Sequence, residues 1–100
     1  MLCALTVRTL EPGAFESFHE AFMRPLSPDD PPPGWVRFTM LRNVESPDEV
    51  ICFGLFDGTV DDLRASEADL GYDEQQAAIA PFVASVGASG LYEVVEDLTA

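Results

Sequence analysis

His19 is the only histidine in the chain and the side chain best suited to acid–base chemistry. Imidazole changes its charge near neutral pH, so a histidine that lines a cavity can take the proton from a phenolic ligand. A phenolate is electron-rich enough to reduce dioxygen without a metal or a flavin. The protein then supplies deprotonation, positioning and a dry pocket. The alternative is a histidine at the boundary of the core, with its polar tip in water.

Arg37 and Trp35 are the next candidates, and both lie in a segment predicted to be a strand. Arg37 can stabilise a developing oxyanion or enolate as a second catalytic residue. It can equally form an ion pair at a subunit interface, because the chain has surplus carboxylates. Trp35 suits the aromatic wall of a site for a planar substrate, or the anchor of an interface, where tryptophan is enriched.

Tyr72 and Asn43 are candidate substrate-binding residues with weaker support. Tyr72 precedes the last predicted helix, so its hydroxyl can donate a hydrogen bond at the mouth of a pocket or hold that helix in place. Asn43 lies at the end of a predicted strand, where asparagine is most often a turn residue.

Motifs for metals, covalent nucleophiles and phosphate are missing from the sequence. One histidine, two separated cysteines and the absence of HxH and HExxH patterns leave no set of transition-metal ligands. The acidic run DGTVDD at 57–62 lacks the order of a calcium loop and is explained by helix capping. No nucleophile elbow or glycine-rich phosphate loop is present. We therefore expect neither a metal nor a cofactor.

The charge balance argues against several classes of partner. The 100 residues include 18 Asp and Glu against 5 Lys and Arg, which gives a net charge of −13 and a pI near 4.1. So acidic a chain is a poor partner for nucleic acid or for an anionic membrane surface. The hydrophobic content of 47% is normal for a globular protein, and the length suits a single domain over 1–100.

The apolar runs and the cysteines bear on the compartment. The longest apolar runs, 50–56 and 77–84, are far shorter than the ~20 residues needed to span a bilayer. The N-terminal MLCALTVRTL lacks a basic region and predicts a strand rather than a signal peptide, so we expect a cytoplasmic protein. Cys3 and Cys52 form no CxxC pair and are expected to be reduced, with a disulfide as the minor alternative.

Hydrophobic periodicity predicts the elements of the first half. Alternation over Leu2–Leu10 predicts a strand, and phenylalanines at 15, 18 and 22 predict an amphipathic helix over about Pro12–Arg24. The proline-rich segment 25–34 predicts a stiff surface loop that can act as a lid. Trp35–Val44 predicts a second strand. Its core face is formed by Val36, Phe38, Met40 and Val44, and its mixed face by Trp35, Arg37, Thr39, Leu41 and Asn43.

The second half begins with an apolar strand over Glu49–Phe56, paired with the second strand in a hairpin. Thr59 and Asp62 have the spacing of a capping box and predict a second helix. Asp73 and Gln76 repeat that spacing before a third helix, whose apolar stripe reaches Val86 with a kink at Pro81. The segment 91–98 predicts the last strand.

The predicted order β-α-β-β-α-α-β is that of an α+β, ferredoxin-like fold. Right-handed crossovers around a central hairpin give a four-stranded antiparallel sheet with all helices on one face. The other face is left bare although it is partly apolar, and the simplest cover is an identical subunit. We therefore expect a homodimer that forms through the sheet face.

The pattern resembles the dimeric α/β-barrel proteins of the antibiotic biosynthesis monooxygenase type over nearly the whole chain. The resemblance is carried by the phenylalanine-striped first helix and by the segments GWVRFTMLRN, SPDEV, EVICFGLFDG, TVDDLRAS and DEQQAAIAPFVASV. It implies the fold just described. It also implies cofactor-independent oxygenation of aromatic polyketides, haem degradation or, as in many members, no known activity.

Residue by residue, the resemblance implies three departures. The tryptophan near the end of the family's third strand falls at Phe56, which makes Phe56 a candidate substrate-binding position without the indole. The second-helix histidine of the haem-degrading members falls near Arg64, and their first-strand asparagine is matched by Thr6. These departures argue against haem degradation.

The sequence thus supports two hypotheses. The first is a cofactor-independent monooxygenase, or a related small enzyme, that acts on a phenolic or quinone-like small molecule between the helices and the sheet. It is favoured by His19 together with Trp35 and Tyr72. The second is a non-catalytic dimeric module of the same fold that binds a small ligand or has a structural role. It is favoured by the missing indole at Phe56, since a fold alone does not fix a function.

Overall fold

A computed structural model describes residues 1–26 and 32–98 of the chain. Part of the predicted proline-rich lid therefore lies outside the described residues. The order of the main elements confirms the predicted β-α-β-β-α-α-β arrangement. They are β1 (Leu2–Leu10), α1 (Phe15–Met23), β2 (Trp35–Arg42), β3 (Glu49–Phe56), α2 (Val60–Asp69), α3 (Tyr72–Ile79) and β4 (Val83–Glu93), with a 3₁₀ turn at Ala80–Phe82.

The strands form one antiparallel sheet in the order β2-β3-β1-β4, which confirms the ferredoxin-like α+β fold. On β3, alternate residues from Val50 to Phe56 are buried, because that face packs against the helices. The sheet of the single chain is open.

Two clusters of buried residues make up the core. The larger cluster joins α1 and α3 to the sheet, and the smaller one joins α2 to the sheet. The members of the larger cluster are Leu10, Phe18, Ala21, Val50, Cys52 and Ile79, and those of the smaller are Trp35, Phe56 and Leu63.

The helices begin where the local backbone chemistry allows. Gly13 has a φ of 74°, a left-handed conformation that a helix cannot continue through, so α1 begins at Phe15 rather than at Pro12. The capping box that opens α2 is confirmed. The Asp62 amide donates to Thr59 Oγ1 at 3.1 Å, and the Thr59 amide donates to Asp62 Oδ2 at 3.4 Å.

β2 departs from the predicted alternation at its first residues. Trp35 pairs with Phe56 and Arg37 pairs with Leu55, so Val36 is an extra residue in a β-bulge. The bulge turns Trp35 to the helix side, where it is 9% exposed, and leaves Val36 54% exposed. The predicted faces of these two residues are therefore exchanged.

The C-terminal third differs most from the prediction. The N-cap of α3 is Gly71, which has a left-handed conformation with a φ of 75°. The predicted cap at Asp73 is therefore wrong. Pro81 ends the helix through a 3₁₀ turn instead of kinking it, since proline removes a helical hydrogen bond. The chain then enters β4 at Val83, so the predicted helix through Val86 is wrong, and the predicted last strand lies at Val83–Glu93 instead of 91–98.

The second face of the sheet carries apolar side chains that no described helix covers. Cys3 lies on this open face and Cys52 on the helix face, and both are free thiols. None of the described helices is both long and apolar enough to cross a membrane. Large apolar residues of the open face include Leu5, Val7, Leu41, Ile51, Phe53 and Leu55.

Candidate functional site

A cavity of about 440 Å³ lies between the helices and the sheet, lined by residues from both core clusters. Its volume is within the range of small-molecule sites. The apolar part of its lining includes Phe22, Trp35, Phe38, Met40, Leu70 and Leu91. The polar part includes Thr6, Arg8, His19, Tyr72, Gln76 and Ser89.

Trp35 forms an aromatic wall that is held in a fixed orientation. Its Nε1 donates a hydrogen bond to Ser66 Oγ at 2.7 Å, and its ring centre lies 4.8 Å from that of Phe38. The neighbouring strand makes room for the ring at Gly54, because a Cβ there would lie 2.7 Å from Trp35 Cζ3. The Trp35 indole can therefore take this position against the sheet only because residue 54 is a glycine.

Phe56 packs behind this wall. It is the register partner of Trp35, and the two rings meet edge to face with their centres 5.0 Å apart. Phe56 is buried and is not among the residues that line the cavity. The register partner of Phe56 is thus an indole one strand away, that of Trp35, next to the bulge at Val36.

His19 and Tyr72 lie at the edge of the cavity. His19 is on α1, where it is exposed and stacks on Phe15 with ring centres 5.9 Å apart. Tyr72 is the first residue of α3 and is 39% exposed. Both residues line the cavity and are also accessible to solvent, so either can meet a ligand as it enters.

Arg37 and Asn43 are not brought to the cavity. Arg37 is exposed on the open face of the sheet, on the side opposite to Trp35. Asn43 organises the β2–β3 turn, where its Oδ1 accepts hydrogen bonds from the amides of Glu45 and Ser46 at 2.8 and 3.1 Å. The structure therefore unites His19, Trp35 and Tyr72 at the cavity, places Phe56 behind Trp35 and leaves Arg37 and Asn43 elsewhere.

Arg8 is a cavity residue that the sequence analysis did not single out. It is only 4% exposed, and its guanidinium carbon lies 5.8 Å from the ring centre of Phe18 and 5.7 Å from that of Phe22. Nη2 donates a hydrogen bond to Gln76 Oε1 at 3.3 Å. Nη1 is buried without a hydrogen-bond partner in the described parts of the chain. The sequence indicates its position by spacing, because Arg8 lies two residues before the core residue Leu10 and therefore on the same face of the strand.

The thiol of Cys52 lies near the Arg8 guanidinium but does not provide a negative charge to balance it. Burial raises the pKa of Cys52 to about 11, and the favourable effect of Arg8 on the thiolate only partly opposes that rise. Cys52 is therefore a neutral thiol at neutral pH. Over residues 1–26 and 32–98, no group of three or more His, Cys, Asp or Glu side chains is placed to hold a metal ion.

Comparison with known proteins gives a consistent structural result. No model of a known protein family matches the chain, and no curated protein matches it in sequence. Solved structures do match. A protein from Deinococcus radiodurans, provisionally named an antibiotic biosynthesis monooxygenase, superposes with a TM-score of 0.79 at 11% identity, over 100% of this chain and 98% of that chain.

Two further structures agree with the first. SnoaB, a cofactor-independent oxygenase from Streptomyces nogalater, has a TM-score of 0.76 at 22% identity, over 97% of this chain and 95% of its own. A protein from Chloroflexus aurantiacus J-10-fl, also provisionally named an antibiotic biosynthesis monooxygenase, has a TM-score of 0.77 at 14% identity, over 98% and 96%. Likeness at these identities establishes the fold. The chain therefore has the fold of the antibiotic biosynthesis monooxygenase proteins, as its sequence resemblance implied.

Proposed function

We propose that the chain is a cofactor-independent monooxygenase that acts on a phenolic or quinone-like small molecule. The observation that carries the proposal is the cavity of about 440 Å³, which brings His19, Trp35 and Tyr72 together between the helices and the sheet. The fold adds support, because SnoaB, which shares it, is a cofactor-independent oxygenase.

Each cavity residue has a role that its position allows. His19, at the edge, accepts the phenolic proton. Trp35 offers a fixed aromatic surface on which a planar ring can stack, and Phe56 supports that surface from behind. The hydroxyl of Tyr72 donates a hydrogen bond to a ligand oxygen. Arg37 lies on the open sheet face, which suits its alternative role at a subunit interface.

The reaction balances without a bound cofactor. A dihydroxynaphthalene plus O₂ gives a hydroxynaphthoquinone plus water. The deprotonated ring passes one electron to dioxygen, and the resulting radical pair forms a C–O bond to give a hydroperoxide. His19 returns the phenolic proton in forming this hydroperoxide. Neutral His19 then removes the hydrogen of the ring carbon that bears the hydroperoxide, the O–O bond breaks and that carbon becomes the quinone carbonyl, while the hydroxide that leaves takes up the removed proton and departs as water. The ring supplies all the electrons, so dioxygen is the only oxidant.

An oxygen electrode tests the proposal directly. Protein treated with a chelator should consume O₂ with 1,5-dihydroxynaphthalene above the rate without protein, and should form one 5-hydroxy-1,4-naphthoquinone per O₂. No uptake above background with this compound and with other mono- and dihydroxynaphthalenes would contradict an oxygenase.

The second candidate is a non-catalytic module that binds the same class of ligand. The observation that favours it is that Trp35 is already fixed by Ser66 and packed against Phe38 and Phe56, which is a structural role as well as a binding one. Calorimetric binding of dihydroxynaphthalenes without any oxygen uptake would favour this module over the enzyme.

The apolar open face of the sheet supports the proposal that two chains associate through it as a homodimer. Leu41 and Tyr92 on this face are 47% and 46% exposed in the single chain, and burying such a surface is favourable. Light scattering on the eluted protein should give twice the 10.9 kDa of one chain. A monomer at micromolar concentration would contradict the dimer and the closed barrel that it would form.

A further inference from the structure

Arg8 brings a permanent positive charge to the lining of the cavity, at a position that is 4% exposed. A guanidinium keeps its proton at any pH at which proteins are stable, so burial cannot neutralise it. It is costly to bury such a charge unless an anion pairs with it. The faces of Phe18 and Phe22 offset only part of this cost.

The described residues do not supply that anion. The ion pairs among them join Arg24 to Glu20 at the surface and Arg64 to Glu67 at the lining of the cavity, and neither includes Arg8. Among the described residues, Arg8 donates to the neutral amide of Gln76 and lies beside the neutral thiol of Cys52, and Nη1 has no hydrogen-bond partner there. The guanidinium of a cavity-lining residue is therefore left without a counter-charge in the described parts of the chain.

The chemistry of Arg8 selects a carboxylate among possible anions. A phenol is neutral when it enters from water at neutral pH, whereas a carboxylic acid is already ionised. The planar donor fork of arginine also matches a carboxylate in shape. Close by on the same sheet face, Thr6 Oγ1 and Ser89 Oγ lie 3.1 Å apart. One of these hydroxyls donates to the other, which leaves one O–H free to donate to a ligand.

We propose that Arg8 is the receptor for the carboxylate of a planar aromatic acid. The acid group pairs with the guanidinium of Arg8, which lines the cavity, and its ring stacks along Trp35 towards the edge where His19 lies. This inference rests on the proposed function in taking the acid as the substrate, but the binding step itself requires no turnover.

Isothermal titration calorimetry on the unmodified protein is the first test. The probes are 2-naphthoate and 2-naphthamide, which have the same ring but differ in charge. We expect the acid to bind about tenfold or more tightly, as a charge-assisted hydrogen bond implies. Equal affinities would overturn the proposal without the need for any variant.

Substitutions then assign the selectivity to one residue. Arg8→Gln should weaken 2-naphthoate binding about tenfold or more and leave 2-naphthamide within about threefold. Arg8→Lys should retain part of the preference. Arg24→Gln is the matched control, because it removes the same charge from an exposed position at the C-cap of α1 and should leave both affinities unchanged. An unchanged preference in folded Arg8→Gln would overturn the assignment.

A final variant tests whether the chain provides its own anion. Asp29 and Asp30 lie in the proline-rich segment of the sequence. The double variant Asp29→Asn, Asp30→Asn should bind 2-naphthoate as the unmodified protein does. A gain of tenfold or more would identify these carboxylates as the occupants of the Arg8 site and would overturn the proposal.

The two proposals can fail separately. Selective binding of 2-naphthoate through Arg8, without oxygen uptake on hydroxylated naphthoates, would uphold the carboxylate site and contradict the oxygenase. Oxygen uptake on neutral dihydroxynaphthalenes, with equal affinities for 2-naphthoate and 2-naphthamide, would uphold the oxygenase and contradict the carboxylate site.

Discussion

Alanine in place of His19 should lower the rate of oxygen uptake on dihydroxynaphthalenes by about 10²- to 10⁴-fold, the usual contribution of a positioned general base. No other histidine is present to take its place. The side chain is exposed and makes its only described ring contact with Phe15, so its loss should leave the fold and the oligomeric state intact. The rate is measured with an oxygen electrode, and the fold with circular dichroism.

Two controls make the His19 experiment specific. Glu20→Gln changes the adjacent exposed position, which pairs with Arg24 and does not line the cavity, and it should keep the full rate. Added imidazole should restore part of the rate to His19→Ala, because a small base can enter the space that the side chain leaves. Turnover by His19→Ala at the unmodified rate would rule out its role as the base.

Phe18→Ala should have the largest effect on stability and lower the free energy of unfolding by about 3–5 kcal/mol. Phe18 is 0% exposed, and its ring centre lies 5.6 Å from that of Phe22. Its ring also faces Arg8, so the substitution removes a contact of the buried charge as well as leaving a void. Urea unfolding followed by circular dichroism measures the change.

The matched control for Phe18 is Leu98→Ala, an apolar truncation at a position that is 83% exposed. It should change the free energy of unfolding by less than about 0.5 kcal/mol. If Phe18→Ala cost no more than Leu98→Ala, the larger core cluster could not be the main source of stability. Because the chain has only 100 residues, the expected loss is a large fraction of its total stability.

The parts of the fold that follow from local chemistry could be predicted from the sequence. β1 and β3 match their predicted bounds because each is apolar and is bounded by turn residues. The start of α2 matches because Thr59 and Asp62 satisfy each other's backbone groups. The end of α3 could not be predicted in the same way. The apolar stripe through Val86 suits a helix or a strand, and pairing with β1 decides between them.

The candidate site depended on facts that are not local. Alternation places Trp35 and Arg37 on one face, and only the bulge at Val36, a feature of strand pairing, separates them. Arg8 was missed for a related reason. The alternation of β1 shows that the strand has two faces, but not that the face with the arginine is the buried one. That choice is made by the packing of Phe18 and Phe22 on α1.

The division of the core into two clusters has a thermodynamic consequence. The cavity of about 440 Å³ lies where a chain of this size would otherwise gain contacts between the clusters. A ligand that fills it would contact residues of both clusters, and so would link the packing of α1 and α3 to that of α2. Because such a ligand binds only the folded chain, its free energy of binding adds to the free energy of folding and grows with the logarithm of its concentration. The melting temperature is therefore itself a sensor for the natural ligand, whatever reaction follows.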